Sequence, residues 1–148
     1  IVSVDRGGII KVGPKSAGAL PGPACYSRGG QDPTFTDAIL TLGFLNPNHL
    51  VGGDLQLDTT RAQDVLETRI CRSIKRDLLN TAWGIFQVSC STMVRAVKAV
   101  STYRGRDPRD FTLLAFGGNG PVVAAEIANL LDMTQIVIPP APGVCSVP

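Results

Sequence analysis

Gly117-Gly118-Asn119-Gly120 stands between an apolar run, Phe111 to Phe116, and a stretch of helical character that opens with Pro121. A glycine-rich turn between strand and helix presents backbone N–H groups and the positive end of a helix dipole. Both suit an anion or a nucleotide. The same glycines would serve equally in a tight turn that needs positive φ, expected here at Gly118 or Gly120. The stretch is not a P-loop, because no Gly-Lys-Ser/Thr follows. As a dinucleotide fingerprint it lacks the third glycine, whose place Val123 takes.

Other reactive side chains are few. His49 is the single histidine and reads as a surface residue, so no Ser/His/Asp or Cys/His arrangement has support. Cys25, Cys71, Cys90 and Cys145 fit no zinc spacing and read as reduced thiols of a cytoplasmic protein. Asp5-Arg6-Gly7-Gly8 looks superficially like a phosphate-binding hairpin. Ile9 follows it where that role would place Thr, so an ordinary hairpin turn is the better reading.

The elements that must position these residues follow from periodicity. Alternation predicts a hairpin over residues 1 to 12, and a long loop follows from 13 to 35. Prolines stiffen that loop, and Ala17, Ala19, Ala24, Cys25 and Tyr26 make it too apolar for a solvated linker. A site-lining role is expected. A short helix is expected over Thr36 to Leu45, capped by Thr36 or Asp37, and another from about Thr60. A long helix is expected over Asp77 to Arg104, with Phe86 and Met93 in the core and Gly105 ending it. Strands are expected at 111 to 116 and 135 to 138, with a helix from Pro121 to about Leu131 between them. The class is α/β, with α+β left open.

Composition excludes several function classes. The chain has 148 residues, 44% hydrophobic and 18% charged, which is a globular balance. A net charge of +2 gives no reason to expect nucleic acid or an anionic membrane as partner. No apolar run reaches the roughly 20 residues of a membrane helix. The chain opens inside a strand-like run without an initiator Met, so a single partial domain cut from a longer polypeptide is expected.

Four segments together resemble the hydantoinase A family, which includes hydantoinase subunits, 5-oxoprolinases and acetone-carboxylase subunits. They are Val12 to Gly30, Pro33 to Pro47, Arg104 to Pro121 and Val137 to Ser146, in register over nearly the whole chain. The resemblance implies one lobe of an actin-like, sugar-kinase-like ATPase fold. It also implies ATP-dependent ring opening of a cyclic amide, such as a hydantoin or 5-oxoproline, with ATP and Mg2+ or another divalent metal. By the same resemblance Gly117, Gly118, Asn119 and Gly120 would line the nucleotide. Asp37 would be a catalytic or metal-linked group, with a helix cap as its alternative. Arg28 would contact phosphate, or else be an exposed structural arginine. A B-type subunit is the implied partner.

The chain departs from the family in places. The family usually has Gly at Ser27, Asn at Ile39, Ala at Asn119, and Leu-His at Val122-Val123. Losing that His removes a possible ligand or proton-transfer group. A non-catalytic nucleotide-binding or assembly module, or an acetone-carboxylase-type subunit, is therefore carried as an alternative. The isolated chain is expected not to turn over a cyclic amide.

Overall fold

The structure, a computed structural model, describes residues 1–48 and 55–144; His49 and Cys145 lie outside them. The chain divides into two compact units, residues 1–89 and 90–148.

The first unit opens with the expected hairpin. Strands β1 (Val2–Val4) and β2 (Ile10–Val12) pair antiparallel, Val2 opposite Val12. Asp5 builds the turn: its Oδ1 accepts from the N–H groups of Gly7 and Ile9 at 2.9 and 3.0 Å, and Lys11 pairs with its Oδ2 at 3.2 Å. These bonds, that to Ile9 first, hold the Asp5 carboxyl below its usual range. The Gly7 and Ile9 donors are therefore spent on the turn, as an ordinary hairpin requires.

Helix α1 runs Phe35–Thr41, beginning one residue before the expected Thr36 and stopping four residues before the expected Leu45. Its cap is Thr34, not Thr36 or Asp37. The Thr34 hydroxyl accepts from the Asp37 N–H at 3.2 Å, and Asp37 answers from the third helical position as the second half of a capping box. Gly43, at φ 77°, stops the helix. Its N–H reaches the Leu40 carbonyl and that of Phe44 reaches Ile39, the bond pair of a left-handed C-terminal stop.

Helix α2 (Thr59–Leu66), capped by Asp58, passes without a break into a π turn at Glu67–Cys71 and the short α3 (Arg72–Ile74). The π turn was not foreseen, because side-chain periodicity over five residues does not reveal it. Helix α4 spans Leu78–Val100. Val2, Ala38, Leu66, Ile70, Ala82 and Ile85 form the core of the first unit. Of these, Val2, Leu66, Ile70 and Ile85 each contribute about 1.5–3 kcal/mol by burial. Phe86 is also buried and meets Phe35, Phe44 and Trp83, with ring centroids 5.2 to 6.3 Å apart.

The expected apolar stripe of α4 fades toward its end: Met93 and Val97 are half-buried and Val100 is exposed. The helix also stops four residues early. Ser101 turns its hydroxyl onto the Val97 carbonyl at 2.7 Å, and a 3-10 turn over Thr102–Arg104 closes on Gly105 at φ 73°.

In the second unit, β3 (Leu113–Leu114) and β4 (Ile136–Val137) pair in parallel across helix α5 (Gly120–Leu130). This is the expected strand–turn–helix–strand unit, with far shorter strands. Phe111 gives its N–H to the Pro108 carbonyl and Gly117 gives its own to Pro142, so neither can extend the ladder. The fold is thus mixed helix and strand, with an antiparallel hairpin in one unit and a parallel pair in the other. Among the described residues no helix is long and apolar enough to cross a membrane.

Candidate functional site

The candidate residues fall in both units. Arg28 and Asp37 belong to the first, and the glycine turn belongs to the second.

In the first unit the long loop is built around Asp37, which is fully buried. Its Oδ1 accepts from the Cys25 N–H at 2.9 Å. Its Oδ2 accepts from the Thr34 N–H at 2.9 Å and from the Thr34 hydroxyl at 2.7 Å. A carboxylate in this position is stabilised by three donors and by the N-terminal end of α1. The 3-10 turn over Ala24–Tyr26 is held from its other side as well, since the Cys25 carbonyl accepts from the Asp58 N–H at 2.8 Å. Cys25, Leu40, Leu57 and Ala62 close the core beneath it. Burial, and then the Asp37 charge, pushes the Cys25 thiol up, so it stays protonated and inert. Cys71 and Cys90 are likewise free and buried.

This arrangement does not make Asp37 a ready ligand. A metal ion at its oxygens would have to displace three good hydrogen bonds in a site closed to solvent. Among the described residues no group of three His, Cys, Asp or Glu side chains is placed to hold a metal. In this structure Asp37 is a clamp, close in kind to the capping alternative.

Arg28 is exposed and follows Ser27, which sits in the left-handed region at φ 55°. That conformation is one that a glycine, which the resemblance implies at this position, adopts more readily than serine. Gly30 presses against the opposite arm of the loop, where an added Cβ would overlap the Gly22 carbonyl oxygen. Thr34 and Asp58, which hold the loop with Asp37, were not singled out from sequence. A Thr three residues before an Asp was the signal available for Thr34.

In the second unit the turn has a different character. Gly117, not Gly118 or Gly120, takes positive φ, at 82°. Its N–H is tied to Pro142 O at 2.6 Å, and this bond fixes the chain reversal one residue earlier than expected. Among the described residues, the N–H groups of Gly118 and Asn119 have no acceptor. Gly118 is exposed, with nothing within 4 Å of where a Cβ would stand. Gly120 begins α5 and packs on the strand end: its Cβ would lie 3.4 Å from the Ala115 carbonyl carbon. So one glycine supplies the turn, one leaves the backbone open and one permits close helix–strand contact. The free donors at the start of a helix behind a parallel strand can hold an anionic oxygen. Val123 is buried in α5 with Ala124, Ile127 and Ala128, and so serves packing.

Residues 1–148 match the family described as Hydantoinase/oxoprolinase. The chain is 38% identical over 147 residues to the caprolactamase subunit alpha of Pseudomonas jessenii, covering 99% of this chain and 21% of that protein. It is 37% identical over 147 residues to the acetophenone carboxylase gamma subunit of Aromatoleum aromaticum, covering 99% of this chain and 20% of the relative. The crystal structure of the ATP-dependent caprolactamase from Pseudomonas jessenii superposes with a TM-score of 0.91 at 37% identity, over 99% of this chain and 21% of that one. The chain thus spans about a fifth of the length of the relatives it matches. Likeness over this full span, in sequence and in fold, places the chain in the hydantoinase/oxoprolinase family.

Proposed function

We propose that the chain is part of an ATP-dependent enzyme that opens a cyclic amide, and that the Gly117–Gly120 turn receives phosphate oxygens of the nucleotide. The observation that carries the reading is the pair of N–H groups, Gly118 and Asn119, at the start of α5 that find no acceptor among the described residues. The likeness to an ATP-dependent caprolactamase supports it. The actin-like ATPase fold expected from the family belongs to the same proposal.

The chemistry explains the need for ATP. Resonance makes a ring amide carbonyl a poor electrophile. Transfer of the terminal phosphoryl group to the amide oxygen turns that oxygen into a leaving group. Water then adds to the carbon and the ring C–N bond breaks to leave an acyl phosphate. A second water cleaves it, so that cyclic amide, ATP and two waters give the ring-opened acid, ADP and phosphate. Such transfer is chiefly positioning and charge stabilisation, which backbone donors at a glycine turn supply. A divalent ion would neutralise phosphate charge. Asp37 does not fit as its ligand, and in this reading it acts by fixing the loop that carries Arg28. Arg28, exposed in that loop, is a phosphate-contact candidate in its own right.

A second reading is an acetone-carboxylase-type subunit that activates a ketone, favoured by the likeness to an acetophenone carboxylase subunit. One assay separates the two. The full-length protein, with and without a B-type subunit, is given ATP and each of hydantoin, 5-oxoproline, caprolactam, or acetone with bicarbonate. Ring-opened product that appears only with ATP supports the first reading. A carboxylated ketone supports the second. No product from any substrate contradicts both.

A further inference from the structure

The first unit carries a cleft of about 330 Å3 between the clamped loop and α2 with its π turn. Gly30 and Gln31 form one wall, and Arg61, Asp64, Thr68 and Arg69 form the other. The two arginines are eight residues apart. In a regular helix that spacing leaves them about 80° out of line, whereas a spacing of seven leaves about 20°. A π turn adds one residue without adding a turn of helix, and Arg69 lies inside the π turn Glu67–Cys71. The extra residue therefore brings Arg69 round to the face of Arg61. A regular helix would be the more stable choice, and π turns recur where a side chain must be re-aimed.

Neither arginine is otherwise committed. Among the described residues no ion pair or side-chain hydrogen bond holds Arg61 or Arg69, and Asp64, lying between them, pairs with neither. The facing wall is rigid. Asp37 fixes the loop at Cys25 and Thr34, and Gly30 is wedged against the Gly22 carbonyl. Two guanidinium groups on one face, opposite a fixed backbone and the Gln31 amide, form a fork that takes planar or tetrahedral oxygen anions.

We propose that this cleft binds an oxyanion, the carboxylate or phosphate group of a small molecule, between Arg61 and Arg69. The site lies apart in sequence from the glycine turn and does not depend on the nucleotide reading. The test is calorimetric titration of the full-length protein with inorganic phosphate and, separately, with acetate, followed by hydrogen–deuterium exchange to locate the bound anion. Saturable binding with slowed exchange across residues 30–31 and 61–74 is expected. Arg61→Gln and Arg69→Gln should each weaken it by about tenfold or more, and Arg69→Lys by less, because an ammonium keeps the charge though it cannot offer the fork. Both arginines are exposed, so the variants should fold. Binding of phosphate alone or acetate alone names the source of the oxyanion. Failure of both anions to bind, or binding that survives both glutamine substitutions, would overturn the proposal.

Discussion

Two glycine-rich segments look alike in sequence and do opposite things with their backbone. In the loop before α1, the donors at Cys25 and Thr34 are consumed by the buried Asp37 carboxylate, and the Cys25 carbonyl is used by Asp58. In the turn before α5, Gly117 is tied down, and among the described residues the N–H groups of Gly118 and Asn119 have no acceptor. A glycine-rich stretch is therefore read by where its donors go. Donors spent internally make a rigid wall, and donors left at the start of a helix make an anion receiver.

The comparison breaks most visibly at Asp37. Asp37→Ala would orphan buried donors on Cys25 and Thr34, at a cost of about 3 kcal/mol. Asp37→Asn keeps one acceptor and should lose less. Chemical denaturation of the three proteins would show this order, and equal stability would refute the clamp. Gly30→Ala should follow, at about 2–3 kcal/mol, because the new methyl meets the fixed Gly22 carbonyl with nowhere to move. Ser27→Gly has the opposite sign. It relieves a left-handed serine and should stabilise by about 1 kcal/mol, seen as a raised Tm.

The smallest effect is chemical. Cys25, buried and beside Asp37, should resist alkylation at mildly alkaline pH in the folded protein. Burial, and then the charge of Glu126, also raises Cys90, to about 11. Mass spectrometry after brief treatment should find neither thiol labelled, and rapid labelling of Cys25 would show that the loop opens.

The sequence made local matters legible and left non-local ones hidden. The hairpin, both main helices and the strand–turn–helix–strand order follow from periodicity, glycine and proline, which act over a few residues. The length of β3 did not, because it depends on Pro108 and Pro142 taking the N–H groups of Phe111 and Gly117. Positive φ settled on Gly117 for the same reason. Asp37 was legible as polar and important, yet its task depends on Cys25, twelve residues away, so cap and ligand looked alike. The π turn left no periodic trace, and with it the alignment of Arg61 and Arg69 stayed out of reach.

The central claim is that the second segment receives the nucleotide, and Gly118 tests it most directly. Its φ is not in the left-handed region and open space surrounds the missing Cβ, so Gly118→Val should fold as the parent does. A branched side chain there would nonetheless bar a phosphate from the Gly118 and Asn119 donors. Calorimetry on the folded full-length protein should show ATP affinity reduced by about tenfold or more, the scale of one or two lost hydrogen bonds to a charged group. Unchanged ATP affinity would contradict the account.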